Sequence, residues 1–291
     1  MAWLQIEFEL GDVDPAAAEN HLLELGAAAI SYRDSGDDPI LEPAPGTTPL
    51  WNNPTVLALL AATVDRQQII DRLVTLSPAI KPENLKFVEL PEKNWQAEWR
   101  QRSEPMCFGE RLWLYPWKVE HPDDGRVIVE LEPGLAFGTG EHPSTAMCLR
   151  WLDSHSVTDK QVLDYGCGSG VLAIAAAALG ARRCTAIDID PQALLATQQN
   201  ARQNKRQNLI RVMEPAKLPL QPEYDVILAN ILSGTLLELA TELQQLAAPG
   251  AELVLSGILE QQAEQIIAGY GWLELQLSDQ KDEWVLLEGR L

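Results

Sequence analysis

Twenty-nine residues, Val162 to Asp190, constrain this chain more than any other stretch: VLDYGCGSGVLAIAAAALGARRCTAIDID. A short apolar strand, Val162–Leu163, ends at Asp164 and gives way to the turn Gly166-Cys167-Gly168-Ser169-Gly170. An Ala-rich helix is predicted from Val171 to Leu179, with Gly180 in the position of a C-cap. A second strand, Cys184–Ile187, stops at the acidic Asp188. Strand, glycine turn, helix, strand and acid make half of a nucleotide-binding α/β domain. The glycines let backbone approach a ligand with no Cβ in the way. Asp188 falls 22 residues after Gly166, where a carboxylate accepts hydrogen bonds from both ribose hydroxyls.

The identity of the nucleotide turns on Asp164. A dinucleotide fingerprint reads G-x-G-x-x-G, with pyrophosphate over the helix N-terminus. This chain has an acid two residues before Gly166, and a carboxylate there repels pyrophosphate. It suits a cationic amino-acid group, held through water or a neighbouring amide, which favours S-adenosylmethionine over a nicotinamide dinucleotide. A glycine turn that only packs helix on strand is the plainer alternative.

The flanks extend the pattern. Strands are expected at 112–115 and 127–131, followed by the loop Glu132-Pro133-Gly134-Leu135-Ala136-Phe137-Gly138-Thr139-Gly140-Glu141-His142. With its glycines and one large aromatic, this loop reads as a cover over the cofactor, which makes Phe137 and Gly138 candidate contacts. It leads into a helix over 143–152, where Thr145 in the first turn is placed to reach a carboxylate; a purely local capping role is the alternative. His142 reads as structural. Downstream, a helix over 191–203 precedes strands at 210–213 and 224–229, the second ending at Asn230, a polar amide at a strand tip beside the expected cleft. A helix over 234–246, a Pro249-Gly250 turn, a strand over 252–256 and a helix over 261–268 follow. Closing strands at 272–277 and 283–288 would complete a seven-stranded sheet with a terminal antiparallel pair, the methyltransferase variant of the doubly wound fold.

The first ninety residues read differently. Leu4, Ile6, Phe8 and Leu10 alternate with Gln5, Glu7 and Glu9 as in a half-buried strand. Asp14-Pro15 and Asp65 start helices, and strands are expected at 27–32, 55–62 and 85–90 around a long loop over 34–54. The order β-α-β-β-α-β is ferredoxin-like. The expected organisation is therefore a smaller α+β domain over 1–90, a linker helix over 91–108 carrying Trp95 and Trp99, and an α/β domain over 109–291.

Charge narrows the partners. The chain carries a net −20, and residues 1–90 alone hold 14 Asp and Glu against 5 Lys and Arg. Such a surface repels nucleic acid and attracts basic partners. No long uncharged apolar run points to a membrane span. MAWLQIEFEL reads as a strand rather than a signal peptide. The four cysteines form no C-x-x-C pair, so neither a metal nor a disulfide framework is expected, in keeping with a reducing cytoplasm.

Taken together, the chain resembles the bacterial PrmA family of S-adenosylmethionine-dependent methyltransferases acting on large-subunit ribosomal protein L11. The resemblance rests on EPGLAFGTGEHPSTAMCL, VLDYGCGSGVLAIAAAALGA, AIDIDPQAL and ANIL, with NWQAEWR and the closing WVLLEG in support. It implies a class I methyltransferase sheet of Rossmann type, with cofactor contacts at Thr145, Gly166, Asp188 and Asn230, to which the glycine turn adds Gly168 as a candidate. It also implies a front domain that recognises the basic protein substrate and methylation of lysine and α-amino groups up to trimethyl. Glu132 and Asn230 are the candidates for binding and orienting the amine. A monomer meets every requirement. The other readings are a methyltransferase of RNA or a small molecule, for which the front domain is the wrong charge, a nicotinamide dehydrogenase, and a non-catalytic binder.

Overall fold

Alternation in the first strand sets the layering of the front of the chain. In β1 (Trp3–Glu9), Leu4, Ile6 and Phe8 are buried while their neighbours lie at intermediate or full exposure. This strand sits between β3 (Pro54–Ala61) and β4 (Lys86–Leu90), with β2 (Ala29–Asp34) outside β3, all antiparallel in the order β2-β3-β1-β4. Two helices cover the buried side. In α1 (Pro15–Glu24) the Asp14 carboxylate accepts from the Ala17 N–H at 3.2 Å. In α2 (Arg66–Leu76) Asp65 does the same for Gln67 at 2.9 Å. Such caps satisfy donors that the first helical turn leaves free. Ala18, Leu22, Ile69 and Leu73 then pack on Leu4, Ile6, Val56 and Leu60. The computed structural model describes residues 3–36, 40, 49–77, 80–90, 104–131, 138 and 140–291. Two units divide the chain, Met1–Trp95 and Gln96–Leu291, and the linker tryptophans lie outside the described residues.

The second unit is built on a seven-stranded sheet in the order β10-β9-β8-β11-β12-β14-β13. The strands are β8 (Gln161–Tyr165), β9 (Arg183–Ile187), β10 (Ile210–Met213), β11 (Tyr224–Asn230), β12 (Ala247–Leu259), β13 (Gln276–Lys281) and β14 (Trp284–Arg290). The first five in this list run parallel, and β14 is antiparallel to both β12 and β13. Strand apolarity is nearly continuous, as expected where helices cover both faces of a parallel sheet. On one face Val162, Ala186, Val226 and Val254 meet α3 (Pro143–Ser154), α4 (Val171–Ala178) and α5 (Pro191–Gln203). On the other, Leu163, Ile187, Ile227 and Leu255 meet α6 (Ser233–Leu246) and α7 (Ala263–Gly269). The class I methyltransferase sheet inferred from the sequence is the fold observed.

Three differences from the sequence reading have physical causes. The strand expected over 272–277 begins at Gln276 instead. Leu273 and Leu275 are buried at 8% and 5% exposure because they continue the core from Tyr270, whereas β13 is an exposed edge strand held by pairing with β14. Pro249-Gly250 is no separate turn but an irregularity within β12, with Gly250 at φ +80°. Finally, residues 106–108 of the expected linker helix are a strand, β5 (Met106–Phe108), which pairs with β6 (Leu112–Pro116) and through it with β7 (Val127–Leu131) in a small sheet of their own.

Asp153, near the end of α3, fastens that small sheet. Its carboxylate, in a residue only 6% exposed, accepts from the N–H groups of Glu110 (2.7 Å), Arg111 (3.1 Å) and Leu112 (2.8 Å). Gly109 is obligatory in this turn: φ is +100°, and a Cβ there would lie 2.2 Å from Asp153 Oδ2. Truncating the acid removes the acceptor of all three donors. We expect Asp153→Ala to lower stability by about 1–3 kcal/mol, because Glu110 and Arg111 are exposed and only Leu112 would be left a buried unsatisfied donor, which costs roughly 1–3 kcal/mol. Urea unfolding checks this, and a loss below ~1 kcal/mol would show that water reaches the Leu112 amide.

Candidate active site

Parallel pairing brings the tips of β8, β9 and β11 to one edge of the sheet, and the candidate residues gather there. After β8 the backbone turns on glycines with φ of +78° at Gly166, +53° at Gly168 and +79° at Gly170, angles that residues with a Cβ rarely adopt. The turn is fixed to the neighbouring strand. The N–H groups of Gly166 and Cys167 both donate to the Ile187 carbonyl at 2.9 Å, and Gly168 N–H donates to Asp188 Oδ2 at 2.9 Å. Gly166 also has no room for a side chain, since a Cβ would stand 2.2 Å from Ile231 Cγ2.

Asp188 is half-buried at the end of β9. Its Oδ1 accepts from Asp190 N–H at 2.9 Å, so each oxygen already holds one backbone donor. A carboxylate offers about four lone-pair sites, which leaves capacity for two hydroxyls from a ligand. Across the sheet edge, Asn230 Nδ2 donates to Thr145 Oγ1 at 3.1 Å. Thr145 is 1% exposed. In this arrangement the amide nitrogen is committed to Thr145 and the oxygen is left to accept. Gly138 is brought to the same place: its carbonyl accepts from Ser169 Oγ at 2.7 Å. Among the sequence candidates, Thr145, Gly166, Gly168, Asp188, Asn230 and Gly138 thus occupy the strand-tip edge. Glu132 and Phe137 lie outside the described residues. His142 caps α3, its Nδ1 accepting from Ser144 N–H at 3.3 Å, and it packs against Trp284.

Asp164 has a structural task at the start of α4. It is 1% exposed, and its Oδ2 accepts from Ala173 N–H at 3.0 Å in the first turn of α4. The carboxyl is buried against the helix, so any hold on a ligand amine would pass through a neighbouring amide or water. Gly170 provides no capping side chain, so Asp164 serves as a cap from beneath the helix. Burial pushes its carboxyl up to about 7, with Asp188 adding to the rise and the Ala173 N–H opposing it. Cys148 and Cys184 are also buried, which moves both thiols up to about 12 and leaves them unfit as nucleophiles. Among the described residues no group of three His, Cys, Asp or Glu side chains is placed to hold a metal, and no helix is long and apolar enough to cross a membrane.

Polar residues of α5 complete the site, and sequence reasoning missed them. Thr197 Oγ1 donates to the Gly168 carbonyl at 3.0 Å, and Asn200 Nδ2 to the Ser169 carbonyl at 2.8 Å. Their spacing puts them on one helix face, but that pattern usually marks a solvated surface. A groove of about 680 Å³ lies elsewhere, lined by Gly109, Arg111, Arg150, Trp151, Asp153 and Asp279. Its Arg150 is already paired with Asp279 at 2.9 Å and its Arg111 donates to the Asp153 carbonyl at 2.6 Å. Both arginines are thus committed to structural partners, and the strand-tip edge, where the glycine turn, Asp188 and Asn230 meet, is the better candidate.

Comparison with known proteins agrees with this geometry. A family model described as ribosomal protein L11 methyltransferase (PrmA) matches residues 2–291. A ribosomal protein L11 methyltransferase of Pasteurella multocida is 43% identical over 292 residues, covering 100% of both chains. One from Azotobacter vinelandii is 44% identical over 291 residues, covering 99% of each. A crystal structure of a ribosomal protein L11 methylase from Lactobacillus delbrueckii subsp. bulgaricus aligns with a TM-score of 0.58 at 30% identity, covering 64% of this chain and 98% of that one.

Two outcomes follow from the site. A carboxyl whose folded pKa is raised destabilises the protein when it ionises. The penalty is absent below about pH 3.8 and grows as pH rises to about 7, to an upper limit of about 4 kcal/mol. Wild type should therefore lose stability from pH 5 to pH 8 relative to Asp164→Asn, as read by urea unfolding at each pH. Parallel curves for the two proteins would show that Asp164 is charged throughout. Gly166→Ala should lose about 2 kcal/mol or more from positive φ and collision with Ile231, measured by thermal melting.

Proposed function

The chain belongs to the ribosomal protein L11 methyltransferase (PrmA) family, and from that premise we propose that it transfers methyl groups from S-adenosylmethionine to amino groups of ribosomal protein L11. The acceptors are lysine ε-amines and the N-terminal α-amine, each methylated repeatedly. The observation that carries the cofactor reading is Asp188, fixed by the Gly168 and Asp190 amides with lone pairs to spare for a ribose diol. The residues present fit the cofactor: positive-φ glycines give close backbone approach at Gly166 and Gly168.

S-adenosylmethionine supplies an electrophilic methyl group on a positively charged sulfur. Methyl transfer is an in-line displacement, so holding the acceptor in line supplies much of the rate. Asn230, with its Nδ2 tied to Thr145, presents its carbonyl oxygen to accept an amine N–H and so aims the nitrogen lone pair. The amine must be neutral, whereas a free lysine has a pKa of about 10.4. Removal from water lowers that value, and the proton leaves to solvent before attack. After β11 the chain reads Asn230-Ile231-Leu232-Ser233, with no aromatic to clamp a planar nitrogen, which suits a tetrahedral amine that turns between rounds. Glu132 would bind the ammonium form first. The front unit, with its excess of acids, would recruit the basic substrate.

Mass spectrometry of purified L11 incubated with the protein and S-adenosylmethionine tests the reading. Successive increments of one methyl group on amines are expected; no increment with cofactor binding intact by calorimetry would discard L11 as substrate. We expect Asp188→Ala to weaken cofactor binding by at least tenfold, for the loss of roughly 1.5–3 kcal/mol of hydrogen bonding to a charged group. Asn230→Ala should lower kcat more than KM rises; unchanged turnover would remove Asn230 from the mechanism.

A further inference from the structure

We propose that the polar stripe of α5, Thr197-Asn200-Asn204, is a positioning element that turns the glycine loop so that its Ser169 N–H faces the ligand. The inference rests on the cofactor reading above. A charged or amide stripe on a helix normally faces water, yet Thr197 is fully buried and Asn200 is 5% exposed. Both spend their donors on consecutive loop carbonyls, Gly168 at 3.0 Å and Ser169 at 2.8 Å. Gly170 makes the close approach possible, since a Cβ there would lie 2.6 Å from Thr197 Cγ2.

The consequence is geometric. Among the described residues no peptide bond is cis, and in a trans peptide the N–H points opposite to the C=O. Drawing the Gly168 carbonyl toward α5 therefore drives the Ser169 N–H the other way, out of the helix-facing side of the loop. The amides on either side of it are used internally: Gly168 N–H by Asp188 at 2.9 Å and Gly170 N–H by the Cys167 carbonyl at 2.7 Å. Among the described residues no acceptor takes the Ser169 N–H, although Ser169 is only 6% exposed. An amide without a protein partner must bond water or a ligand, and a bound acceptor supplies that bond.

Asn204, the C-cap of α5, extends the device to β7. Its Oδ1 accepts from Glu130 N–H at 2.8 Å and its Nδ2 donates to the Glu130 carbonyl at 2.7 Å and the Asn200 carbonyl at 2.8 Å. Gly138, farther along, is held by Ser169 Oγ. One helix face thus sets the glycine loop and the end of β7 in register with each other.

The test uses the full chain labelled with 15N-serine, the Ser169 amide assigned by substitution, titrated with S-adenosylhomocysteine. In wild type the Ser169 amide should shift and its exchange with solvent slow on binding. Asn200→Leu keeps similar volume but removes the donor. It should bind at least about tenfold more weakly and lose most of the Ser169 shift, while the melting profile stays cooperative. Thr197→Val removes a single hydroxyl and should show the same loss to a lesser degree, which decides the matter if Asn200→Leu does not fold. Unchanged affinity and an unchanged Ser169 response in either folded variant would overturn the proposal. A wild-type protein that binds the ligand with Ser169 unmoved would overturn it while leaving the cofactor reading in place, whereas no binding at all would overturn both.

Discussion

Three amide hydrogen bonds from the glycine loop to the tip of β9 govern the geometry of this protein's working edge. Gly166 and Cys167 share the Ile187 carbonyl, and Gly168 takes one oxygen of Asp188. The bonds need a backbone that folds back on itself immediately after β8, which in turn needs the positive φ of Gly166 and Gly168. Loop and acid are therefore one rigid object rather than two features that happen to adjoin. Their fixed relation lets a single ligand meet both without the cost of ordering either.

Buried polar groups tie this edge to the rest of the unit. Asp164 holds the start of α4 from below, α5 holds the loop carbonyls, and Asp153 holds the turn before β6. Each pairs a buried side chain with backbone groups that would otherwise be stranded, the condition on which burial of polar atoms depends. The apolar core supplies the bulk of the stabilisation, on both faces of the sheet. The polar pairs decide where loops stand relative to it. In a site that works by positioning, that division matters, because small displacements of an acceptor amine or its methyl donor cost rate steeply.

Electrostatics complements the geometry. A net charge of −20 gives the molecule a long-range attraction for basic partners, screened over about 8–10 Å at physiological salt. Near the strand tips the acids are local and directed, and Asp188 keeps its oxygens on backbone amides. The general field suits capture of a basic protein, while the fixed dipoles suit recognition of a small ligand.

Much of this was legible in the sequence. Glycine spacing, the acid 22 residues on and the amide closing an apolar strand are local signals, set by backbone sterics and side-chain chemistry within one βαβ unit. They fixed the fold class, the seven-stranded sheet and the cluster of Gly166, Gly168, Asp188 and Asn230. Strand β13 was misplaced because an edge strand is held by backbone pairing and carries no hydrophobic period, while the buried Leu273 and Leu275 carry one without being a strand. The cap that Asp164 provides beneath α4 is not legible, because its position in the motif says nothing of burial. Thr197, Asn200 and Asp153 were missed because a polar residue on a helix looks the same in sequence whether it faces water or a stranded carbonyl. Only the packing of α5 on the loop and of α3 on the β5–β6 turn decides which, since partners 29, 31 and more than 40 residues away become neighbours only when the sheet closes.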